Sequence, residues 1–383
     1  MATLPTVLPA PRLPRLRGGA SLRWGILAPG FIAGKFATAL HRHTDQRVHA
    51  VGSRSLERGE VFARGNGVDR AYGSYLQLVE DPAIDAVYIA SPHTQHAELA
   101  KLAIAAGKHV LIEKPLAVTA AQAREVAADA ATAGVFAMEA MHTRFHPRTS
   151  VIEQLLADGV LGDIRTVHAD LGYGFPVAHE SRLYDPELAG GAILDLGVYS
   201  IWFVTFVLGR PREVVANGSL TETGVDRHSV TVMTGDDGRQ GVVTTNMLAF
   251  TPSQASINGT AGRIHLDTRH PLPGPLSLYG PDNSLHLRFV DDSGIKAQDG
   301  LCRQAAWMAQ HVADGLTDSP LHPLSMSIDV LTAIDAVRSQ LGVLPHGRNS
   351  QQAVSRAQEI PRDWRQGFNT TKGASRPEGT PES

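Results

Sequence analysis

Residues 24–34 read WGILAPGFIAG, an apolar, strand-like run that breaks at Pro29-Gly30 and restarts as a helix-like segment. A strand, a tight turn and a helix are the parts of a dinucleotide-binding loop, whose usual pattern is G-x-G-x-x-G. Aligned on that pattern, the chain has Ala28, Gly30 and Ala33 at the three glycine positions. The glycine that remains is the one at which a side chain would collide with a pyrophosphate. The predicted contacts to a dinucleotide are Ala28, Gly30, Phe31 and Ile32.

The same turn leaves two other interpretations to weigh. A P-loop, G-x-x-x-x-G-K-[ST], fits Gly34-Lys35, but Pro29 and Phe36 replace its leading glycine and its magnesium-binding hydroxyl, so it is rejected. An ordinary turn stays open for this motif alone. If the loop is a dinucleotide loop, alanine at position 28 needs a negative φ, which Pro29 favours by disfavouring the α region before it.

The segments that follow the loop alternate between strand-like and helix-like patterns up to about residue 145. Alternation of this kind predicts right-handed crossovers and a parallel sheet. Thr119 is expected to cap one of the helices, and Gly107 to close another. After residue 146, period-2 runs separated by Gly, Asn and Asp turns predict an antiparallel sheet. The expected fold class is α/β: a Rossmann-type doubly wound parallel sheet plus a C-terminal α+β domain with a large, mostly antiparallel open sheet.

Four regions follow from these patterns. Residues 22–145 are the predicted NAD(P)-binding Rossmann domain, and residues 146–345 the α+β domain for substrate and oligomerisation. Residues 1–21 contain four prolines, three arginines and no acid, which predicts a flexible extension. Residues 346–383 are expected to be a C-terminal segment with a flexible tail.

Composition narrows the functional classes. The net charge of −3 over 383 residues indicates neither a nucleic-acid partner nor an anionic membrane surface. The longest apolar run, SIWFVTFVLG, is shorter than the roughly 18 residues that a membrane span needs. The single cysteine, Cys302, excludes an intrachain disulfide and predicts a cytoplasmic protein. Its helical surroundings predict a buried bystander rather than a nucleophile.

The end of the second strand bears on the choice of nucleotide. Enzymes that prefer NAD usually have an acid there to bind the ribose 2′-hydroxyl, whereas residues 48–54 contain none. Ser53 can donate to a 2′-phosphate, and Arg54 can pair with it, helped by Arg58 one helical turn later. NADP is therefore expected over NAD, with a solvated arginine at a helix start as the alternative.

Residues 112–116, IEKPL, end a strand on the carboxyl side of the predicted sheet, where ligands bind in this fold. Lys114 would lie at the rim of that crevice. A lysine needs a lowered pKa to act as an acid or base near neutrality, and partial burial can provide it. By itself the motif is weak, and a surface lysine is the alternative.

Four stretches now carry a resemblance: WGILAPGFIAGKF, AVYIASPHTQHAELA, AGKHVLIEKPLAVT and GGAILDLGVYSIWFV. In this order they resemble the glucose–fructose oxidoreductase, inositol dehydrogenase and rhizopine catabolism family (Gfo/Idh/MocA), over about residues 22–345. The resemblance implies a substrate between the two domains and Lys114 as a catalytic residue. It also implies a cofactor held by the first loop, by SPHTQH and by the strand end; the residues concerned are Ser91, Pro92, His93, His96, Glu113 and Lys114.

Many members of the family have Asp-x-x-x-His on a helix of the second domain, where this chain has Asp195 and Tyr199. The i, i+4 spacing places both on one helix face. Tyrosine at this position resembles the dimeric dihydrodiol dehydrogenase and NADP-dependent xylose dehydrogenase branch, which implies Tyr199 as the acid/base, supported by Lys114, and Asp195 at the substrate. A lysine cation nearby is expected to favour the phenolate. From the residues alone, Tyr199 on an apolar helix is read first as a core aromatic.

Several neighbouring residues remain open. Arg144 and Arg182 are predicted to hold a polar substrate, with solvated surface groups as the alternative. His142 stands where the branch more often has a bulky aromatic residue. His142 and His146 have the i, i+4 spacing of a metal site, but Pro147 makes a helix there unfavourable, and no metal is expected.

The resulting hypothesis is an NADP(H)-dependent oxidoreductase that interconverts a secondary hydroxyl and a carbonyl on a sugar, sugar derivative or cyclic diol. The alternatives are an NAD-dependent redox glycosidase of the same family and a non-catalytic dinucleotide-binding sensor. One face of the second sheet needs a cover beyond its own helices. Together with the resemblance, this predicts a homodimer or homotetramer formed through that sheet.

Overall fold

Two sheets organise the part of the chain that the computed structural model describes, residues 4–175, 181–267 and 269–343, and both belong to one compact unit. The first sheet has six parallel strands in the order β3-β2-β1-β4-β5-β6. Its strands are β1 (Arg23–Leu27), β2 (Arg47–Gly52), β3 (Arg70–Tyr72), β4 (Ala86–Ile89), β5 (His109–Glu113) and β6 (Ala137–Ala140). This order, with its reversal between β1 and β4, is that of the Rossmann fold and confirms the predicted first half.

Five helices connect these strands: α1 (Phe31–His43), α2 (Leu56–Asn66), α3 (Tyr75–Val79), α4 (His96–Ala105) and α5 (Ala120–Ala133). The predicted local signals are confirmed. The Thr119 side chain accepts a hydrogen bond from the Gln122 backbone N–H at the start of α5. Gly107 follows the end of α4 with a φ of 73°, a left-handed conformation that glycine adopts without strain.

The second half is built on an eight-stranded sheet in the order β14-β13-β12-β11-β7-β10-β9-β8. Its elements in chain order are α6 (Pro147–Ala157), β7 (Ile164–Gly172), α7 (Val198–Leu208), β8 (Glu213–Leu220), β9 (Asp226–Thr234), β10 (Gln240–Asn246), β11 (Ala255–Gly259), β12 (Arg263–Leu266), β13 (Leu276–Tyr279), β14 (Leu285–Phe289), α8 (Leu301–Ala313) and α9 (Leu324–Leu341). Every neighbouring pair is antiparallel except β7 and β10. The mostly antiparallel sheet is thus confirmed.

Three strands were not predicted: β3, β13 and β14. The first has only three residues, and the last is a largely exposed edge strand without regular alternation. Short or edge strands carry little of the period-2 pattern on which sequence assignment depends. The predicted C-terminal segment, 346–383, lies outside the described residues.

The helical stretch Pro186–Leu208 corrects the expectation about membrane spans. Within the described ranges it is the one segment whose length and mean hydropathy, 1.8, would suffice to cross a membrane. The apolar run SIWFVTFVLG is only the end of this segment, and the residues before it bring the segment to 23 residues. However, 83% of this window is buried inside the protein, where α7 packs against the second sheet and α9. A helix that is apolar all round and buried in this way is a core helix.

The N-terminal segment 4–21, predicted to be flexible, follows the surface through specific contacts. The Arg12 backbone N–H donates to Ser150 Oγ on α6 at 2.8 Å. Arg17 pairs with Asp45, just after α1, at 3.2 Å. These contacts join the segment to both halves of the molecule, a pattern that composition alone does not reveal.

Cys302 is fully buried in α8, and burial raises the pKa of its thiol to about 12. A thiol with so high a pKa is not ionised near neutrality and is a poor nucleophile. The interpretation as a buried bystander is confirmed.

Candidate active site

A cavity of about 690 Å³ lies at the carboxyl ends of β1, β4 and β5 and is closed on its other side by residues of the second half. This is the edge of a Rossmann sheet at which ligands bind. The cavity brings together most of the predicted site residues: Gly30, Phe31, Ile32, Ser91, Pro92, His93, His96, Glu113, Lys114, Arg182, Asp195 and Tyr199.

The turn after β1 differs from its expected geometry in one respect. Ala28 has a φ of 69°, so the prediction of a negative φ was wrong. Its N–H donates to Gly52 O at 3.1 Å, which holds the turn against the neighbouring strand. The turn therefore keeps the left-handed backbone that the first glycine of the pattern would adopt. With alanine in that position, this conformation costs roughly 1–2 kcal/mol.

The start of α1 fits a dinucleotide phosphate. No side chain caps the helix at Gly30, and its first turn contains no acid. A Cβ built on Gly30 would meet no protein atom within 4 Å, so the space above this backbone is open to a ligand. Free N–H groups and the helix dipole together favour an anion at such an N-terminus.

The residues predicted to choose the nucleotide lie outside the cavity, at the end of β2 beside β1. Ser53 is buried, and its Oγ accepts from the Ser55 N–H at 3.2 Å. Arg54 and Arg58 are exposed, and neither guanidinium makes an ion pair within the described part of the chain. Both side chains are therefore available at the end of the crevice away from Lys114.

The loop after β4 is anchored by the buried side chain of His96. His96 is fully buried, with its ring nitrogens 2.7 Å from Pro115 O and 2.9 Å from Ser91 O, so it ties this loop to the one that follows Lys114. His93 is also buried, and burial lowers its pKa well below the ordinary value. Its Nδ1 has no hydrogen-bond partner among the described residues, which suits a ligand in the cavity.

Glu113 supports the same rim. Its carboxylate accepts from the Tyr88 hydroxyl and, at 3.2 Å, from the Lys114 N–H, and burial raises its pKa. Both acceptor oxygens are thus engaged within the protein.

Asp195 is the centre of the charged part of the site. Its Oδ1 lies 2.9 Å from Arg182 Nη2, 3.5 Å from Lys114 Nζ and 3.9 Å from His93 Nε2. Lys114 also donates to the Asp195 backbone oxygen at 2.8 Å. Burial opposes ionisation, but the Lys114 and Arg182 cations outweigh it and hold the pKa of Asp195 well below its usual range.

Tyr199 projects beside this cluster. Lys114 Nζ lies 4.9 Å from the centre of its ring, and its hydroxyl is 3.3 Å from His142 Nε2. Burial, followed by the charges of Glu113 and Asp195, raises the pKa of Tyr199 well above its ordinary value. The expectation of a favoured phenolate was wrong for the protein alone, because burial and three nearby carboxylates raise the pKa of Tyr199, while the lysine cation faces the ring.

The comparisons with known proteins agree with this geometry. A family model described as "Oxidoreductase family, NAD-binding Rossmann fold" matches residues 22–141, and the GFO/IDH/MocA C-terminal domain model matches residues 150–265. The trans-1,2-dihydrobenzene-1,2-diol dehydrogenases of Sus scrofa and Homo sapiens are each 35% identical over 329 residues, which cover 84% of this chain and 98% of theirs. The chain belongs to the Gfo/Idh/MocA oxidoreductase family. Membership makes it a dinucleotide-dependent oxidoreductase.

Among solved structures of similar proteins, one contains NADP and another contains NADH. A 3-ketoreductase from Actinomadura kijaniata, in complex with NADP and TDP-benzene, is 28% identical with a TM-score of 0.71, covering 84% of this chain and 98% of its own. Levoglucosan dehydrogenase, in complex with NADH and levoglucosan, has a TM-score of 0.77 at 20% identity over 84% of this chain and 97% of its own, and shows the fold alone.

One predicted substrate residue of this Gfo/Idh/MocA protein does not reach the cavity. Arg144 is buried, its Nε donates to Leu321 O at 2.6 Å, and its Nη2 pairs with Glu153 at 2.5 Å. Its guanidinium also lies over the Phe206 ring, 5.2 Å from the centre. The role proposed for Arg144 is therefore corrected to packing, since Arg144 does not line the cavity and its Nε and Nη2 donors are engaged by Leu321 and Glu153.

Other residues of the oxidoreductase cavity were missed by sequence reasoning. Tyr173 and Phe175 form an aromatic wall, with ring centres 5.8 Å apart, and Arg269 lies 5.1 Å above the Tyr173 ring. The aromatic pair in GYGF at the end of β7 was the available signal, whereas Arg269 sits in an irregular segment without any motif. Within the described ranges, no group of three or more His, Cys, Asp or Glu side chains could hold a metal ion.

Two local features position the helix that carries Asp195 and Tyr199. Residues Ile193–Gly197 form a π-helical turn that runs directly into α7, a widening often found at functional sites. Asp226 on β9 accepts from the Ile193 N–H at 2.7 Å, and burial raises its pKa to about 6. The start of this helix is thereby fixed to the second sheet of the oxidoreductase.

A buried polar cluster lies below Lys114. Glu139 on β6 accepts from the Leu116 N–H at 2.8 Å, from Ser327 Oγ at 2.6 Å, and lies 3.0 Å from His322 Nε2. All are shielded from solvent. The cluster ties the loop that follows Lys114 to the start of α9.

Proposed function

We propose that this protein is an NADP(H)-dependent oxidoreductase that interconverts a secondary hydroxyl and a carbonyl on a sugar, a sugar derivative or a cyclic diol. The observation that carries the proposal is the meeting of Lys114, Asp195 and Tyr199 in one crevice at the carboxyl edge of a Rossmann sheet. The dinucleotide, when bound, supplies or accepts the hydride.

The side chains manage the proton and the charge that accompany hydride transfer. In the reductive direction the Tyr199 phenol, which keeps its proton at neutral pH, donates it to the substrate oxygen as the carbon gains a hydride. The Lys114 cation, beside the ring, offsets the negative charge left on Tyr199. Asp195 holds Lys114 and Arg182 in place and thereby orients the substrate between them.

The shape of the cavity supports a ring-shaped substrate. Leu171, Tyr173 and Phe175 line the cavity together with charged residues that include Lys114, Arg182 and Asp195. A sugar ring or cyclic diol has an apolar C–H face for aromatic side chains and hydroxyls for polar groups. The similar proteins named above include diol dehydrogenases and a 3-ketoreductase.

A spectrophotometric screen of aldoses, anhydrosugars, inositols and cyclic diols, with NADP and NAD in parallel, tests this function. We expect dinucleotide reduction with members of one of these classes and a higher kcat/KM with NADP. Dinucleotide binding without turnover of the whole panel would instead indicate a sensor.

Arg54 is proposed to select NADP. Replacing Arg54 with Asp removes a cation from the end of β2 and places a carboxylate where NAD-preferring enzymes have one. Because a charge-assisted bond contributes roughly 1.5–3 kcal/mol, the Kd for NADPH should rise about 10- to 100-fold while that for NADH falls or stays. Fluorescence titration of both nucleotides measures this.

The matched control for Arg54 is Arg64→Asp, at an exposed arginine near the end of α2 that is paired with Glu60. It should leave the ratio of the two Kd values unchanged. Equal losses for NADPH and NADH in Arg54→Asp would refute selection by the 2′-phosphate.

We further propose that two copies pair through the face of the second sheet that α7 and α9 leave open. Val215 and Val230, on the adjacent strands β8 and β9, are 54% and 48% exposed there, and Val232 and Val242 lie next to them. Exposed apolar side chains grouped on one sheet face are typical of an interface.

Light scattering should show a dimer or tetramer at micromolar concentration, and Val230→Asp should shift it to smaller species, because a buried, unpaired carboxylate is costly. Val61→Asp, at an equally exposed valine on α2, is the control that should keep the assembly. A monomeric wild-type protein at this concentration would contradict the proposal.

A further inference from the structure

A chain of three side chains leads away from the cavity. Tyr199 Oη lies 3.3 Å from His142 Nε2, and His142 Nδ1 lies 3.2 Å from His146 Nε2. The rings of Tyr199 and His142 meet edge to face, with centres 5.5 Å apart. His142 lines the cavity, whereas His146 is only 1% exposed and lies behind it.

When both imidazoles are neutral, each ring has one hydrogen-bond donor and one acceptor. The hydrogen bonds through Tyr199, His142 and His146 can then run in two directions. In the first, Tyr199 donates to His142, which donates to His146, and the phenol hydrogen is turned away from the cavity. In the second, His146 donates from Nε2 to His142, which donates from its own Nε2 to Tyr199 Oη. The phenol hydrogen is then free to face a substrate.

The buried end of the chain favours the second direction. His146 Nδ1 has no partner among the described residues. In the first direction it would be an N–H donor buried without an acceptor, and in the second only an unused lone pair. An orphaned N–H is the rarer and costlier of the two.

Burial keeps both histidines neutral: it lowers the pKa of His142 to about 3 and that of His146 well below its ordinary value. The charged and titratable groups around the three rings also favour the neutral forms. The cations Lys114, Arg148 and Arg303 disfavour imidazolium at the two histidines. Four further groups disfavour phenolate at Tyr199: Glu113, Glu139, Tyr173 and Asp195. The lowered pKa values disfavour either histidine as the group that takes up the proton of the reaction.

We propose that His142, held in its Nε2–H tautomer by His146, is a positioning residue that donates a hydrogen bond to Tyr199 Oη, directs the phenol hydrogen toward the substrate and stabilises the phenolate left after proton transfer. This inference rests on the proposed function of Tyr199. In the reductive direction the O–H bond of Tyr199 breaks, its proton joins the substrate oxygen, the substrate carbon takes the hydride of the reduced dinucleotide, and the phenolate regains a proton from solvent.

The test is the pH profile of kcat/KM for alcohol oxidation, in which the rate rises with pH as Tyr199 loses its proton. Removing a donor to the phenolate must raise the pKa of that limb. In His142→Phe, which keeps a planar ring, the limb should move up by about one unit or more, and kcat should fall roughly tenfold with KM within about threefold. His142→Gln, which keeps an N–H donor, should recover part of both losses.

Two readouts do not depend on turnover. NMR of the nitrogen-labelled imidazoles in the NADP-bound protein should show the hydrogen on Nε2 of both His142 and His146. The ultraviolet titration of phenolate, wild type minus Tyr199→Phe, should move to higher pH in His142→Phe. His49→Gln, at a histidine on β2 far from the cavity, is the control and should change neither.

An Nδ1–H tautomer at His142, or a pH profile of His142→Phe that coincides with wild type, overturns the inference. If His142→Phe fails to fold, the NMR tautomers of the wild-type protein decide alone. Tyr199→Phe distinguishes a failure of the proposed function from a failure of the role of His142. If that variant stays active, the proposed function of Tyr199 fails; if it is inactive while His142→Phe behaves as wild type, only the role of His142 fails.

Discussion

Lys114→Met is expected to lower kcat about 10²- to 10⁴-fold while the protein still binds NADP. Methionine keeps an unbranched apolar stem but removes the ammonium group. That group donates to the Asp195 backbone oxygen at 2.8 Å, lies 3.5 Å from the Asp195 carboxylate and faces the Tyr199 ring. Without it, the cation that lies against the Tyr199 ring no longer offsets the charge that forms on Tyr199 during proton transfer.

Steady-state kinetics with the best substrate from the screen, combined with NADPH fluorescence titration, measures this effect. Lys101→Met is the matched control, because Lys101 is exposed on α4 and pairs only with Glu125 in the described structure. The control should retain full activity. Turnover of Lys114→Met within a few fold of wild type would remove Lys114 from the mechanism.

Glu139→Ala is expected to produce the largest loss of stability, about 3–5 kcal/mol. The carboxylate is 1% exposed and is the common acceptor for Leu116, Ser327 and His322. Truncation leaves these donors buried without an acceptor and opens a cavity below the Lys114 loop. Urea unfolding gives the change, with Glu125→Ala as the control at an exposed glutamate.

The pH dependence of the free energy of unfolding provides a second test of the Glu139 cluster. Burial opposes ionisation of Glu139, but hydrogen bonds from His322 and Ser327 outweigh it and hold its pKa below the ordinary value of 4.5. A carboxyl whose pKa is lowered in the folded state stabilises the protein above the unfolded pKa, and this contribution is lost as pH falls through the folded pKa. Wild type should therefore lose more stability than Glu139→Ala below about pH 4.5. A loss under 1 kcal/mol for Glu139→Ala at pH 7 would show that the cluster is dispensable.

The phosphate loop shows where prediction from sequence succeeded and where it stopped. The alternation of strands and helices and the strand–turn–helix loop at Gly30 are local patterns, and they predicted the Rossmann sheet correctly. The φ of Ala28 was predicted with the wrong sign, because the closing hydrogen bond to Gly52 comes from the neighbouring strand rather than from the adjacent residues.

The charged site shows a sharper division. Asp195 and Lys114 are 81 residues apart, and the sequence brought them together only through a family resemblance. Nothing local distinguished Arg182, which reaches Asp195 in the cavity, from Arg144, which reaches Glu153 on α6 away from the cavity. The direction of an arginine side chain depends on which carboxylate the fold places nearby, and that is a long-range property.

The sequence by itself determined the fold class and the position of the strand–turn–helix loop, because these depend on local periodicity and short motifs, whereas Lys114 and Tyr199 were singled out through the family resemblance. Only the tertiary structure decided that the pKa of Tyr199 is raised rather than lowered, that Arg144 is a packing residue and that His142 and His146 lie behind Tyr199. The physical reason is common to all three. Protonation, side-chain direction and hydrogen-bond partners depend on burial and on charges that arrive from distant parts of the chain.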